Sequence, residues 1–274
     1  MGQETWVSHS SISDYLKCPR AYYLKNVYRD PQTNRKISVM TPALALGQAV
    51  HQVLENLATV RAEERFSVPL TDRLPEAWKA ITGKLGGFSD ETEEAEYYAR
   101  AIAMLLKVTD SPGPLARLAV RIQAPGNLPR YALSPEEQLI LCGKIDWMEY
   151  LPEDDSVRVL DFKTGLRDEH GKSLQLPIYT LLANRLQKRT VSGMSYWYLD
   201  REDAPQEIPL PDLARTEAEI LQLARDIKWA RECGYRVCPE DGCFACRDYQ
   251  AVLDGGAELV GVGNYGQSIY IIRE

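Results

Sequence analysis

The sequence predicts an α/β protein in which helices flank a mixed β-sheet. Three observations predict this class: helical patterns dominate residues 1–115, runs rich in β-branched and aromatic residues follow in residues 116–163, and helical and strand-like patterns then alternate. A chain of 274 residues can bury the core of one large domain. We therefore expect a single domain with a helical N-terminal section (1–115), a core (116–210) and a C-terminal section (211–274).

Four helices are expected in the N-terminal section. Ser10–Ser13 precede the first, and Asp30–Pro31 end it because proline cannot continue a helix. Apolar residues recur at helical spacing in the others. The four patterns cover Asp14 to about Tyr28, a segment that begins near Pro42, Leu74–Leu85, and Glu91–Val108.

Strands are expected from about Ala116 to Leu133 and in an antiparallel hairpin. The hairpin pairs Gln138–Trp147 with Val157–Lys163 across the turn residues Leu151–Ser156. The remaining expected elements are a helix at Lys172–Gln187, a strand at Gly193–Leu199, a helix from Pro211 to about Arg231, and a strand-like tail at Ser268–Arg273.

The hairpin carries charged residues on otherwise apolar runs. Asp161 and Lys163 share one face of the second run, and Asp146 lies near the end of the first. An unpaired buried charge is costly, so these side chains need partners. A divalent cation is a suitable partner for the carboxylates, and together with the lysine it predicts a metal-dependent phosphodiesterase centre.

Two further pairs of residues are spaced i,i+4 and therefore share a helical face: Gly47 with His51, and Gln175 with Tyr179. Taken alone, His51 is more often an ordinary helix histidine, and the second pair would be ordinary boundary residues. Beside carboxylates, however, a histidine nitrogen favours Mn²⁺ over Mg²⁺ as the bound metal.

The net charge of −7 argues against a protein that coats nucleic acid non-specifically. Residues 17–36 nevertheless hold six basic side chains and one acid, with tyrosines within or beside them. Basic side chains interleaved with aromatic rings suit a single-stranded backbone with stacked bases. A tyrosine-rich helix with a solvated basic edge is the alternative. The basic residues are Lys17, Arg20, Lys25, Arg29, Arg35 and Lys36.

No apolar stretch of the sequence approaches the length of a membrane span, and the first residues do not follow the basic-then-apolar pattern of a secretory signal. The sequence therefore predicts a cytoplasmic protein with no membrane partner. In that reducing compartment the six cysteines are not expected to form structural disulfides.

Together and in this order, the motifs resemble the PD-(D/E)XK nuclease superfamily, and within it the RecB-type nucleases that carry an iron–sulfur cluster. The likeness spans nearly the full length of the chain. Its stretches are Ser11–Tyr23, Gly47–His51, Gly143–Asp146, Leu160–Gly165, Gln175–Tyr179 and Cys243–Cys246.

The resemblance implies a restriction-endonuclease-like fold and a bound Mg²⁺ or Mn²⁺. The implied metal ligands are His51, Asp146 and Asp161, with the backbone carbonyl of Phe162 assisting. Asp161 stands where many members carry Glu. Lys163 would orient or activate the attacking water, and Gln175 and Tyr179 would position DNA or the lysine.

Among standalone relatives, the likeness extends to CRISPR-associated adaptation nucleases and related phage or bacterial exonucleases. It implies an exonuclease that acts on single-stranded DNA or frayed ends in recombination, repair or a CRISPR adaptation complex. Two alternatives stay open. One is a non-catalytic DNA-binding or scaffold subunit of a larger complex, and the other is an enzyme that acts on RNA or a nucleotide.

The resemblance also implies a 4Fe–4S cluster held by four cysteines. Cys18 matches the lone N-terminal cysteine of the family, and Cys243 and Cys246 form its C-x-x-C pair. Relatives usually place a further cysteine several residues after this pair, where this chain has none. Cys238 is the expected fourth ligand, with Cys233 as the fallback. Zinc is the competing metal, since it also takes four thiolates.

Overall fold

The computed structural model of the chain describes residues 4–169 and 171–273. Helices and mixed sheets share these residues, which confirms the α/β class and is consistent with a restriction-endonuclease-like fold. The strands are β1 (Thr5–Val7), β2 (Ile37–Val39), β3 (Arg130–Ser134), β4 (Leu139–Cys142), β5 (Trp147–Leu151), β6 (Ser156–Lys163), β7 (Val191–Tyr198), β8 (Gln206–Ile208), β9 (Ala257–Val262) and β10 (Ser268–Ile272). The α-helices are α1 (His9–Lys17), α2 (Pro19–Tyr22), α3 (Pro42–Asn56), α4 (Leu74–Trp78), α5 (Glu91–Asp110), α6 (Gln175–Leu186), α7 (Leu213–Glu232) and α8 (Phe244–Leu253).

The described residues group into two compact units. Unit 1 is formed from Met1–Thr41, Ala132–Leu141 and Ala218–Glu274, and unit 2 from Pro42–Tyr131 and Cys142–Glu217. Each unit combines segments that are distant in the sequence. The expected single domain with three consecutive sections stays a prediction.

A four-stranded mixed sheet forms the centre of unit 2, in the order β5-β6-β7-β8. β6 pairs antiparallel with β5 and parallel with β7, and β8 pairs antiparallel with β7. The parallel connection needs a crossover, which α6 provides, and this helix packs against both strands. The core that they share is apolar, and it includes Met148, Val157, Val159, Leu176, Ala183 and Met194.

Helices α3, α4 and α5 pack together in unit 2 and confirm the helical N-terminal section. One face of α3 is buried, because apolar residues recur along it from Ala45 to Leu54. Asp90 caps α5 by accepting a hydrogen bond from the backbone N–H of Glu93. The expected third helix is only a short α4 followed by 3₁₀ turns.

The hairpin is present, but its first strand differs from the prediction. β5 pairs with β6 from Trp147 opposite Leu160 to Leu151 opposite Ser156. The predicted run Gln138–Trp147 was wrong as one strand, since β4 pairs with β1 in a separate sheet. Between β4 and β5 the chain bends at Gly143, whose N–H donates to the carbonyl of Pro129. The bend places Asp146 just before β5 rather than inside a strand.

Other boundaries also differ from the sequence prediction. The first helix begins earlier, at His9, because Ser8 forms a capping box with Ser11. It breaks at Cys18, where Pro19 starts α2 and the cysteine sulfur accepts the N–H of Ala21. The region 116–129 contains an isolated bridge and a 3₁₀ turn instead of continuous strands. The short strands β1, β2 and β8 show no clear alternation of apolar and polar residues, and the sequence did not predict them.

In unit 1, a second sheet has the order β2-β10-β9. β10 confirms the strand-like tail, and it pairs parallel with β2 and antiparallel with β9. α8, which the sequence did not predict, packs against this sheet. None of the helices in the described parts of the chain is long and apolar enough to cross a membrane.

Candidate functional site

Three polar side chains of unit 2 converge where α3 faces the turn before β5. Two of them, His51 and Asp146, are predicted metal ligands, and the third is Glu55. His51 Nδ1 lies 3.2 Å from Asp146 Oδ2 and 3.8 Å from Glu55 Oε1. The ligand atoms of these three residues all lie within 4.8 Å of one another. His51 and Glu55 are one helical turn apart, so α3 presents both to the same point.

Asp161 and Lys163 form a second, adjoining network on β6. Asp161 is 1 % exposed, and its Oδ2 lies 2.9 Å from Lys163 Nζ. Gln175, the first residue of α6, joins the two, because its Nε2 donates to Asp161 Oδ1 at 2.6 Å while its Oε1 accepts from Lys163. Lys163 also forms an ion pair of 3.1 Å with Glu169. The structure therefore brings the predicted lysine, aspartate and glutamine together.

The electrostatics of the two carboxylates couple these networks. Burial and the charge of Asp146 together raise the pKa of Asp161 to about 7, against the opposing effect of Lys163. Burial lowers the pKa of His51, but Asp146 and Glu55 outweigh it and raise this pKa to about 10. A proton on His51 and a divalent cation therefore compete for the same carboxylates.

The donor set fits a divalent cation. Asp161 Oδ2 is buried and has no hydrogen-bond donor in suitable geometry within the described residues, its contact with Lys163 being an ion pair. Lys163 compensates this oxygen, whereas the carboxylates of Asp146 and Glu55 lie with His51 within 4.8 Å of one another and can share one cation. Carboxylate oxygens with one imidazole suit Mg²⁺ or Mn²⁺, the histidine leaning toward Mn²⁺.

Lys163 stays positively charged at neutral pH. Its burial lowers the pKa, but the nearby Asp161 and Glu169 outweigh that effect and raise the pKa above its ordinary value. The ammonium group also lies 5.1 Å from the ring centre of Tyr196. This environment suits a group that stabilises negative charge and positions water, and does not suit a general base.

Phe162 and Tyr179 complete the surroundings of the site. The N–H of Phe162 donates to Asp146 Oδ2 at 3.0 Å, and its ring packs edge-on to His51. Tyr179 OH accepts from Gln175 Nε2 at 3.4 Å. Burial and the charge of Asp146 raise the pKa of Tyr179, so this hydroxyl keeps its proton. The metal-ligand role of the Phe162 carbonyl stays a prediction.

Two glycines allow the close approach of these elements. A Cβ on Gly47 of α3 would lie 3.2 Å from Thr164 Oγ1, just after β6. A Cβ on Gly143 would lie 3.0 Å from a methyl carbon of Leu182 and 3.5 Å from the ring of Tyr179. Both sites leave little room for a side chain, which explains why glycine accompanies the polar motifs.

Sequence reasoning missed Glu55 and Glu169. Glu55 follows His51 at i+4, and that spacing could have identified it as a third donor. It also forms an ion pair with Lys144, in the turn before Asp146. Glu169 lies in an irregular loop after β6, where no periodicity places its side chain near Lys163.

Four cysteines come together in unit 1. The Sγ atoms of Cys18, Cys238, Cys243 and Cys246 all lie within 4.8 Å of one another, and all four side chains are buried. Cys243 and Cys246 are 3.8 Å apart, and Cys238 and Cys246 are 3.6 Å apart. The structure thus brings together the four cysteines predicted as ligands. Cys233, the fallback ligand, is exposed and lies outside this group.

The cysteine group is prepared for thiolate ligation. The backbone N–H groups of Cys243 and Gly242 donate to the Cys238 sulfur and lower its pKa to about 6. Burial and the neighbouring thiols raise the pKa of Cys246 to about 12. A metal ion relieves this mutual repulsion of thiolates, so the donor set fits a four-thiolate metal site.

Comparison with known proteins agrees with the geometry of unit 2. The family model for the PD-(D/E)XK nuclease superfamily matches residues 6–251. Comparison with curated proteins gives no significant match. The matched range contains the His51–Asp146 and Asp161–Lys163 networks and all four clustered cysteines. Because the match covers most of its length, this chain belongs to the PD-(D/E)XK nuclease superfamily.

Proposed function

We propose that this nuclease hydrolyses DNA phosphodiester bonds with Mg²⁺ or Mn²⁺ held by His51, Asp146 and Asp161. Glu55, which lies one helical turn after His51 and reaches the same point, is a further ligand in this proposal. Membership of the superfamily supports a nuclease phosphodiesterase that uses divalent metal and acts on DNA. When bound, such a metal polarises the scissile phosphate and lowers the pKa of a coordinated water.

The protein side chains divide the remaining work in this proposal. Lys163 keeps its proton, positions the attacking water and stabilises negative charge that develops on the phosphate. Gln175 holds Lys163 and Asp161 at fixed separation through two hydrogen bonds. Tyr179 accepts a hydrogen bond from Gln175 and retains its hydroxyl proton, which it can donate to a DNA phosphate.

One observation carries the proposal: the buried Asp161 is in contact with the half-buried Lys163 beside the His51, Glu55 and Asp146 cluster. The direct test is Mn²⁺-dependent cleavage of end-labelled DNA by Lys163→Ala and Asp146→Asn. Both substitutions are expected to reduce the rate at least about 100-fold, because each removes charge stabilisation from the transition state. Asp155→Asn, which alters an exposed ion pair with Arg189, is the matched control.

The preference for single strands or frayed ends, and the exonuclease mode, are part of the proposal and rest on the likeness to RecB-type nucleases. So does a place in recombination, repair or a CRISPR adaptation complex. Digesting end-labelled single-stranded DNA, duplex DNA, circular single-stranded DNA and RNA side by side tests them. Rapid cutting of the circle would refute the exonuclease mode, and preferential cutting of RNA would refute the DNA assignment.

A non-catalytic DNA-binding or scaffold subunit is the alternative function. The retained site argues against it, because Asp161 is a buried carboxylate with a strongly raised pKa that a retired site has no need to keep. If the wild-type protein binds DNA but does not cut any of these substrates with Mg²⁺ or Mn²⁺, the scaffold function replaces the nuclease.

We also propose that the four clustered cysteines hold a structural metal that ties α2 to the segment before and within α8. The family resemblance favours a 4Fe–4S cluster. Four thiolates within 4.8 Å of one another also suit a single zinc ion, which takes four thiolate ligands. Zinc is therefore the second candidate.

A further inference from the structure

The hairpin of β9 and β10 forms one wall of a basic cavity in unit 1. The family match ends at residue 251, whereas β9 begins at Ala257. β10 pairs with β2, and the N–H of Ser268 donates to the carbonyl of Lys36. This pairing joins the hairpin loop to the end of the basic segment 17–36. The cavity is therefore completed by residues outside the part of the chain that the family shares.

The cavity has a volume of about 390 Å³. That volume lies within the range of small-ligand pockets, roughly 300–1,000 Å³. Among the described residues that line it, three side chains are basic and none is acidic. The lining residues are Lys25, Arg29, Lys36, Ile37, Ser38, Tyr249, Tyr265, Gly266 and Gln267.

The positive charge in this cavity is only partly compensated. Lys25 pairs with Asp14 at 2.8 Å, but Arg29 and Lys36 form no ion pair within the part of the chain that the structure describes. Arg29 donates one hydrogen bond, to the carbonyl of Asn34. Burial and the neighbouring Arg29 lower the pKa of Lys36. In a chain of net charge −7, a concave site with two uncompensated cations selects an anion.

Tyr265 supplies an aromatic surface at the rim. Its side chain is 94 % exposed at the tip of the loop between β9 and β10. The loop is ordered by its own contacts: the N–H of Tyr265 donates to Gln267 Oε1 at 3.1 Å, and Gly266 takes the positive φ of 76° that the turn requires. An exposed ring beside phosphate-binding cations suits base stacking.

We propose that this cavity binds single-stranded DNA outside the metal site, with Arg29 and Lys36 on backbone phosphates and Tyr265 stacked on a base. The identification of the strand as DNA rests on the proposed nuclease function. Duplex DNA keeps its bases paired and stacked internally, so it cannot offer a base to Tyr265 without unpairing. In this proposal the cavity therefore binds single-stranded DNA in preference to duplex DNA.

Binding is measured without cleavage, by fluorescence anisotropy of a labelled oligothymidine in EDTA at several salt concentrations. Arg29→Gln with Lys36→Gln is expected to make the dependence of log K on log salt shallower by about 1.4, because each lost phosphate contact contributes about 0.7. Tyr265→Ala is expected to weaken binding about tenfold. Lys188→Gln with Arg215→Gln removes the same charge from exposed positions of unit 2 and is expected to change neither quantity.

The proposal is overturned if the Arg29 and Lys36 double variant keeps the wild-type salt dependence, or if the control variant loses as much affinity. Tight binding of duplex DNA that is unaffected by Tyr265→Ala would also overturn it. So would displacement of the oligothymidine from the cavity by a low concentration of pyrophosphate. Tyr265→Ala changes an exposed side chain, so it tests the site even if the double variant unfolds.

A small substrate tests the proposed nuclease function independently of this cavity. Hydrolysis of bis(p-nitrophenyl) phosphate with Mn²⁺ needs the metal site but offers no strand to the cavity. Arg29→Gln with Lys36→Gln is expected to hydrolyse it at the wild-type rate. Absence of hydrolysis by the wild-type protein would count against the nuclease proposal and would leave the anisotropy result for the cavity unaffected.

Discussion

Gln175 links Asp161 to Lys163, donating to the carboxylate at 2.6 Å and accepting from the ammonium group through the other atom of its amide. A single side chain thus sets the separation of the two groups that define the family motif. Since Gln175 is the first residue of α6, the crossover helix that joins β6 to β7 also orients the side chains of Asp161 and Lys163 on β6. The crossover is therefore both a fold element and a part of the site.

Gln175→Leu is expected to lower kcat for Mn²⁺-dependent cleavage by about 10- to 100-fold while changing KM little. Leucine cannot donate to Asp161 or accept from Lys163, so both groups lose the positions needed in the transition state. The measurement is steady-state cleavage of a labelled oligonucleotide. Gln187→Leu is the control, because that side chain bonds only to the backbone of Arg189 in an exposed turn. An unchanged kcat would show that Gln175 does not position either group.

The sequence predicts the local parts of this site better than the long-range parts. His51 and Gln175 lie on amphipathic helices and Asp161 on an apolar strand, and periodicity alone predicts these elements. Glu169 reaches Lys163 from an irregular loop. The division of Gln138–Trp147 between two sheets depends on pairing with β1, more than 130 residues earlier in the chain. Such pairings are set by tertiary contacts that no local pattern encodes.

The burial of Arg65 is another feature that the sequence does not predict. Its guanidinium group donates to the carbonyls of Leu57 and Leu115 and stacks over the ring of Trp147. A lone arginine in a polar stretch is typically an exposed residue. Its burial is possible only because backbone carbonyls from separate turns converge on it, which satisfies its donors.

Glu55→Gln is expected to weaken Mn²⁺ binding about tenfold without unfolding the protein. The substitution removes one negative charge from the cluster with His51 and Asp146 but preserves the shape of the side chain. Isothermal titration calorimetry with Mn²⁺ measures the change. Glu76→Gln, which alters an exposed ion pair with Lys79, is the matched control. Wild-type affinity in Glu55→Gln would exclude Glu55 as a ligand.

Asp161→Asn is expected to stabilise the protein in EDTA at pH 8 while abolishing cleavage. The pKa of Asp161 is raised from 3.8 to about 7 in the folded protein, so its contribution to stability is complete below the unfolded pKa and is lost as the pH rises through about 7. Asparagine resembles the protonated carboxyl group and avoids that loss. The expected gain in the free energy of unfolding at pH 8 is on the order of 1–3 kcal/mol.

Denaturant unfolding at pH 5 and pH 8 measures this gain, which should be clearly smaller at pH 5, because the unfolded carboxyl group ionises from about pH 4 upward and the folded one only near pH 7. Asp155→Asn gives the opposite sign, because Arg189 and Tyr150 lower the pKa of that exposed carboxylate and its removal loses a favourable interaction. Equal stability of wild type and Asp161→Asn at pH 8 would show that the buried charge is already compensated by Lys163.

Cys243→Ser is expected to release the metal proposed for unit 1 and lower the melting temperature, whereas Cys142→Ser should retain that metal. Cys142 is buried but lies outside the group of four clustered sulfurs, so it controls for the loss of a buried thiol. Removal of one of four thiolates leaves an incomplete coordination shell, and a structural metal contributes folding free energy directly.

Elemental analysis and the visible absorption spectrum of the purified wild type identify the metal. Four irons with sulfide and a brown colour would establish the cluster implied by the family, whereas one zinc per chain without visible absorption would establish the competing zinc site.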